Sequence, residues 1–124
     1  MIKSVYTKDA PAAIGPYSQA IQCGDMVFLS GQIPIIPETG KLVEGNIVQQ
    51  TEQVMKNIKN ILSAAGTDFT KVIKTTCFLA DINDFDAFNS VYGKYLTSKP
   101  ARSCVSVKAL PKGALVEVEA VAAL

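Results

Sequence analysis

Histidine is missing from this 124-residue chain, and so is tryptophan. Without histidine there is no Ser-His-Asp or Cys-His machinery, and the commonest metal ligand goes with it. Any reaction must be run by arginine, carboxylates, tyrosine, thiols, hydroxyls or backbone groups. Such a set favours orientation and charge stabilisation over a strong base. Cysteine is scarce: Cys23, Cys77 and Cys104 are odd in number and form no CxxC pair. Reduced thiols in a cytoplasmic protein are the expectation. An excess of one charge is also lacking. Twelve basic residues against eleven acidic ones leave a net charge of +1, with no Lys/Arg tract. Nucleic-acid binders draw affinity from neutralising phosphates, so this balance argues against that partner. No apolar run approaches the roughly 20 residues needed to cross a bilayer. The start, Met1-Ile2-Lys3-Ser4, carries no apolar signal core. No membrane association is expected.

What the chain does have is apolar side chain, at 48% of residues against 19% charged. One domain over residues 1–124 fits this length, and a chain so small cannot hide all of that surface in its own core. Part of it is expected at a subunit interface.

The pattern along the chain predicts an α+β sandwich with both helices on one sheet face. A short strand at 4–6 precedes the turn signals Asp9-Ala10-Pro11 and Gly15-Pro16. Apolar runs at 20–23 and 26–29 flank Gly24-Asp25 and read as a hairpin, closed by Ser30-Gly31-Gln32. Residues 33–45, rich in proline and glycine, read as a loop. Asn46 with Gln49 three positions on predicts a capped helix. Its buried stripe runs through Ile47, Thr51, Val54, Ile58, Ile61, Leu62 and Ala65, and Gly66 ends it. Residues 72–79 read as a strand. Asn83 or Asp84 then caps a second helix with Phe85, Phe88, Tyr92 and Tyr95 on one face. Residues 101–109 and 115–122 are the last strands, joined by Pro111-Lys112-Gly113.

Several residues carry chemistry in one reading and structure in another. Strand alternation puts Arg102, Cys104 and Ser106 on one face. The planar fork of Arg102 suits a carboxylate, yet a strand-end cation can also be solvated. Glu117 and Glu119 share a face that is either solvent-facing or home to a water-positioning acid, which needs a raised pKa. Tyr17 is a hydroxyl at a pocket rim or a packing aromatic. Ser30-Gly31 is a bend, or a place where exposed backbone meets a ligand. Cys104 reads more simply as a small buried hydrophobe than as a nucleophile. Asn89 lies on the second helix beside Phe88, which belongs to the core stripe.

Four segments together resemble the RidA (YjgF) family of reactive intermediate deaminases. They are Ala10-Pro11-Ala12-Ala13-Ile14-Gly15-Pro16-Tyr17-Ser18-Gln19, then Ser30-Gly31-Gln32-Ile33-Pro34, then Asn83-Asp84-Phe85 with Asn89. Last comes Pro100-Ala101-Arg102-Ser103-Cys104-Val105 with Val116-Glu117-Val118. The resemblance covers essentially the whole chain. It implies a chorismate-mutase-like α+β fold, a six-stranded mostly antiparallel sheet with two helices on one face, assembled as a homotrimer with intersubunit clefts. It implies a 2-iminobutanoate/2-iminopropanoate deaminase that hydrolyses enamines and imines shed by pyridoxal-phosphate enzymes, with no cofactor of its own and no metal. Arg102 becomes the substrate-binding arginine, with Tyr17 and Glu117 as the other catalytic positions. Ser30, Gly31, Asn89 and Cys104 become substrate-binding positions, and Glu119 falls to a surface role. A ligand-sensing regulatory protein with a transcription-factor partner, or a chaperone-like one, is the alternative. A ribonuclease or translation inhibitor fits the charge and the missing histidine less well. If the last two strands pair as a hairpin, Arg102 and Glu117 stand more than about 10 Å apart in one chain at ~3.3 Å per residue. Either that hairpin is bulged or the two meet across a subunit boundary.

Overall fold

The computed structural model describes all of residues 1–124. Its regular elements are β1 (Ile2–Val5), β2 (Ala20–Cys23), β3 (Met26–Gln32), α1 (Ile47–Ala64), β4 (Val72–Leu79), α2 (Phe85–Tyr95), β5 (Ala101–Ser106) and β6 (Val116–Ala123). The strands form one six-stranded sheet in the order β1-β2-β3-β6-β4-β5. Every pairing is antiparallel except β4 with β5. That exception follows from the chain path, because α2 carries it back across the sheet between the two strands.

Helix α1 forms where the sequence places it. The Asn46 carbonyl oxygen of the side chain accepts from the Val48 amide at 2.9 Å, and the Gln49 side chain accepts from the Asn46 amide at 2.9 Å. This reciprocal pair satisfies two amides that a helix start would leave orphaned. Gly66 follows the C-cap at φ +85°, a conformation glycine takes without strain. The buried face holds Val54, Met55, Ile58, Ile61 and Leu62. It also buries Gln50 and Asn57, whose amides serve backbone outside the helix. Asn57 donates to the Ile35 carbonyl at 2.9 Å, and Gln50 accepts from the Leu115 amide at 2.8 Å. Two polar residues in the core are thereby satisfied, and they fasten loop 33–45 and the start of β6.

Period-two alternation divides the sheet cleanly. Val116, Val118, Ala120 and Ala122 of β6 and Thr75, Cys77 and Leu79 of β4 are buried on the helix side. The other face carries Ile21, Phe28, Phe78, Val105 and Val121, linked through the strand registers. Phe28 and Val105 on that face are 45% and 46% exposed. These exposed apolar side chains, which share the face with Lys74, Glu117 and Glu119, are the surplus expected from composition.

Four sequence expectations need correction. The first strand lies at Ile2–Val5 instead of 4–6, and β5 stops at Ser106 rather than 109. Asp81, not Asn83 or Asp84, supplies the side-chain cap before α2. It accepts from the Asn83 amide at 2.9 Å and opens a single 3₁₀ turn that runs into the helix, while Asp84 caps nothing. The last two strands do not form a hairpin. β4 lies between β5 and β6 and pairs with both. The Pro111–Gly113 turn therefore connects non-adjacent strands, and adjacency in sequence misleads about adjacency in the sheet.

Candidate functional site

A kink in β3 builds the first half of the site. Leu29 pairs with Ala120 and Gln32 with Val118, so Ser30 and Gly31 together face the single residue Glu119. This is a β-bulge, a device that bends a strand and re-aims its side chains. The Ser30 amide donates to the Gln19 carbonyl at 3.0 Å, and its hydroxyl donates to the Ser18 carbonyl at 2.6 Å. Gly31 sits against the acid of the neighbouring strand. A Cβ there would fall 2.0 Å from a carboxylate oxygen of Glu117 and 2.9 Å from its Cδ. Only glycine lets the two approach so closely.

Tyr17, Ser30, Gly31 and Glu117 line one cavity of about 570 Å³, with Ile14 and Ile33 among its apolar walls. The Glu117 carboxyl is half-buried, and its pKa is raised above the ordinary value, first by burial and then by Glu119. No cation pairs with it, since the one ion pair in the chain joins Lys94 to Glu52. The raised pKa means the native state holds the proton more tightly than the unfolded chain. Stability therefore falls as pH climbs from the ordinary carboxylate range through the native value. Glu117→Gln should raise the melting temperature at neutral pH and bring no gain well below that range. A neutral-pH loss in thermal unfolding curves would show that the charge has a favourable partner instead.

The second half belongs to Arg102, near the start of β5. It lies opposite Thr75 in the parallel register, on the helix side of the sheet. Its guanidinium is 4.9 Å from the ring centre of Tyr92 and 5.5 Å from that of Phe85. Cations are attracted to such faces, and the rings hold the group in place. One Nη donates to the Asn89 side-chain carbonyl at 2.7 Å. Arg102 and Asn89 line a second cavity of about 470 Å³ beneath the end of α2. Cys104 lines neither cavity. It stands beside Cys77 across β4–β5, and burial raises the pKa of both thiols, Cys77 to about 12. Neither is primed as a nucleophile.

The predicted residues therefore form two groups rather than one. Arg102 faces the helices, whereas Glu117 alternates with the buried residues of β6 and faces the other way. A central strand and the thickness of the sheet separate them within one chain. Sequence reading missed Gln19 as more than a motif letter, although it is 2% exposed and lines the first cavity. It also missed the aromatic cradle of Arg102, although the shared face of Phe85, Phe88 and Tyr92 was visible as a helical stripe.

The family model described as Endoribonuclease L-PSP matches residues 7–124. The 2-iminobutanoate/2-iminopropanoate deaminase of Mus musculus is 50% identical over 121 residues, covering 97% of this chain and 90% of that protein. The chain belongs to the RidA family. A RutC family protein of Sinorhizobium fredii is 55% identical over 125 residues, covering 100% and 99% of the two chains. A crystal structure of a Rid-family protein from Yersinia pestis superposes with a TM-score of 0.97 at 51% identity, over 100% of both chains. The RidA-family fold, including the helices on one sheet face, is thus the fold seen here. No helix of this RidA-family chain is long and apolar enough to cross a membrane.

Proposed function

We propose that this protein hydrolyses 2-imino acids to 2-keto acids and ammonia, at sites shared between neighbouring chains of a homotrimer. One observation carries the reading. An arginine fork and an acid of raised pKa, each set in its own cavity, lie on opposite faces of one sheet. A small ligand needs both, so a second copy must bring the missing half. The apolar side chains of that face supply a reason to associate, because covering Phe28, Phe78 and Val105 removes them from water. Deaminase relatives at about half identity agree with the chemistry.

Substrates are small 2-imino acids such as 2-iminobutanoate and 2-iminopropanoate, formed when enamines leave pyridoxal-phosphate enzymes. With one Nη held by Asn89, the opposite edge of the Arg102 guanidinium faces the carboxylate through two parallel hydrogen bonds. That fixes the imine carbon for attack. Glu117 takes a proton from water as the water oxygen bonds to the carbon of the protonated imine, whose C=N π electrons pass to nitrogen, giving a neutral carbinolamine. It then returns the proton to nitrogen. The carbon–nitrogen bond breaks, ammonia leaves, and the hydroxyl proton passes to the Glu117 carboxylate, which completes the ketone and gives the proton up to solvent. A raised pKa brings the acid closer to operating pH, where proton transfer in both directions is efficient. Tyr17, Ser30 and the Gly31 backbone line the space around the reacting atoms, and Cys104 serves as apolar wall beside Arg102.

The test is decay of imine absorbance for freshly generated 2-imino acids, with ammonia measured in parallel. Accelerated decay with matching ammonia is expected, and no acceleration across the series would remove the deaminase reading. Gly31→Ala sharpens it. The new methyl must displace the Glu117 carboxylate, and a shift of about 1 Å at a reacting group costs up to ~100-fold in turnover. Unchanged turnover in this variant would show that Glu117 does not act from the position seen.

A further inference from the structure

Residues 6–18, in the connection from β1 to β2, supply Pro11, Ala12, Ile14 and Tyr17 to the Glu117 cavity. This stretch has almost no backbone bonding of its own. Within it the Tyr17 amide bonds to the Gly15 carbonyl at 2.9 Å and the Asp9 amide to the Thr7 hydroxyl at 3.1 Å, and no other amide bonds internally. A cavity wall with so little internal structure must be held from outside. Gln19 does this with one side chain. Its Oε1 accepts from the Thr7 amide at 2.8 Å, and its Nε2 donates to the carbonyls of Thr7 at 3.0 Å and Pro11 at 2.8 Å. A longer contact of 3.3 Å reaches the Ala10 carbonyl. Ala10 is pressed into the core at 2% exposure, and Asn60 of α1 donates to the Asp9 carbonyl at 2.8 Å as a lesser outside tether.

We propose that Gln19 is a positioning residue, whose buried carboxamide holds the 7–17 strap in place as the outer wall of the Glu117 cavity. It touches no reacting atom in this assignment and acts through the strap. Glutamine is suited to the task because its amide offers a donor pair and an acceptor at one reach. The Gln19 backbone works in the same sense, since its carbonyl accepts the Ser30 amide and joins the strap to the bulge. Strap and bulge therefore share one anchor, and the cavity between them has its width set at that point.

The kinetic arm of the test rests on the deaminase reading, and the exchange arm does not. In the wild-type protein the Thr7 amide lies in no strand, yet hydrogen exchange should find it protected. Gln19→Met keeps the volume and removes the hydrogen bonds. It should speed exchange across 7–17 about tenfold and raise the imine KM by a similar factor, at ~1.4 kcal/mol per tenfold, with kcat changed less than about twofold. Loss of general stability alone would lower the melting point and leave the KM of the folded fraction unchanged, which would overturn the proposal. Asn60→Ala cuts the lesser tether and guards against a misfolded Gln19 variant. It should raise KM by a smaller factor while the Thr7 amide stays protected. Free exchange of the Thr7 amide in the wild type would overturn the assignment whether or not imines are turned over.

Discussion

Arg102→Ala leaves a folded protein whose imine turnover has fallen by about a hundredfold or more, the scale expected when one partner of a desolvated charge pair is removed. The fold should survive because the side chain is only partly buried and forms a single side-chain hydrogen bond, to Asn89. Turnover should not survive, because Lys99, the other cation lining that cavity, is not held over the rings and lacks the fork. Arg102→Lys retains charge but not the fork, and should recover only part of the loss. Mixing gives the sharper result. Glu117→Gln alone should also be nearly inactive. If each site takes Arg102 from one chain and Glu117 from its neighbour, co-refolding the two variants in equal amounts restores activity. About a quarter of sites then combine an intact arginine with an intact acid, by random assortment around a ring. No recovery after verified subunit exchange would mean that no site takes Arg102 and Glu117 from different chains. Such a result would remove the shared-site proposal.

The second large effect concerns stability. Phe88 has no exposed surface, and it packs between α2 and the sheet, with its ring 5.4 Å from that of Tyr92. Phe88→Ala should cost about 3–5 kcal/mol, combining lost transfer free energy with a cavity that rigid neighbours cannot fill. Denaturant unfolding followed by circular dichroism reads this directly, and a loss below about 1 kcal/mol would mean the core collapses around the gap. The same ring lies 6.0 Å from the Arg102 guanidinium, so the variant should also loosen the cradle. Phe85→Ala offers a comparison. That ring is partly buried and nearer the guanidinium, at 5.5 Å, so its loss should weigh more on substrate binding and less on stability. Core and site share the same aromatic face. The helical spacing that makes one therefore shapes the other.

How far the sequence spoke depended on the range of the interaction involved. The Asn46–Gln49 box, the Gly66 stop and the strand over 72–79 were all legible, because each is decided within a few residues of itself. Alternation through Val116, Glu117 and Val118 likewise told correctly which side chains share a face. The cap before α2 was misplaced by two or three residues, since Asp81, Asn83 and Asp84 are all competent and only backbone geometry selects among them. The two cavities themselves were not legible. Ser30 and Gly31 read as a bend, but the bulge exists only against β6, more than eighty residues on in the chain. Gln19 read as a motif letter, because its partners are backbone groups, which carry no sequence signal.

The sequence by itself determined the chemical repertoire, the helices and strands with their buried faces, and membership in a family. Those follow from side-chain identity and from periods of two and 3.6 residues, both local properties. Only the tertiary structure decided that β4 separates β5 from β6, and hence that Arg102 and Glu117 of one chain face opposite ways. Strand order is set by which faces can be buried together after the chain folds back on itself, and that is a property of the whole chain, not of any segment.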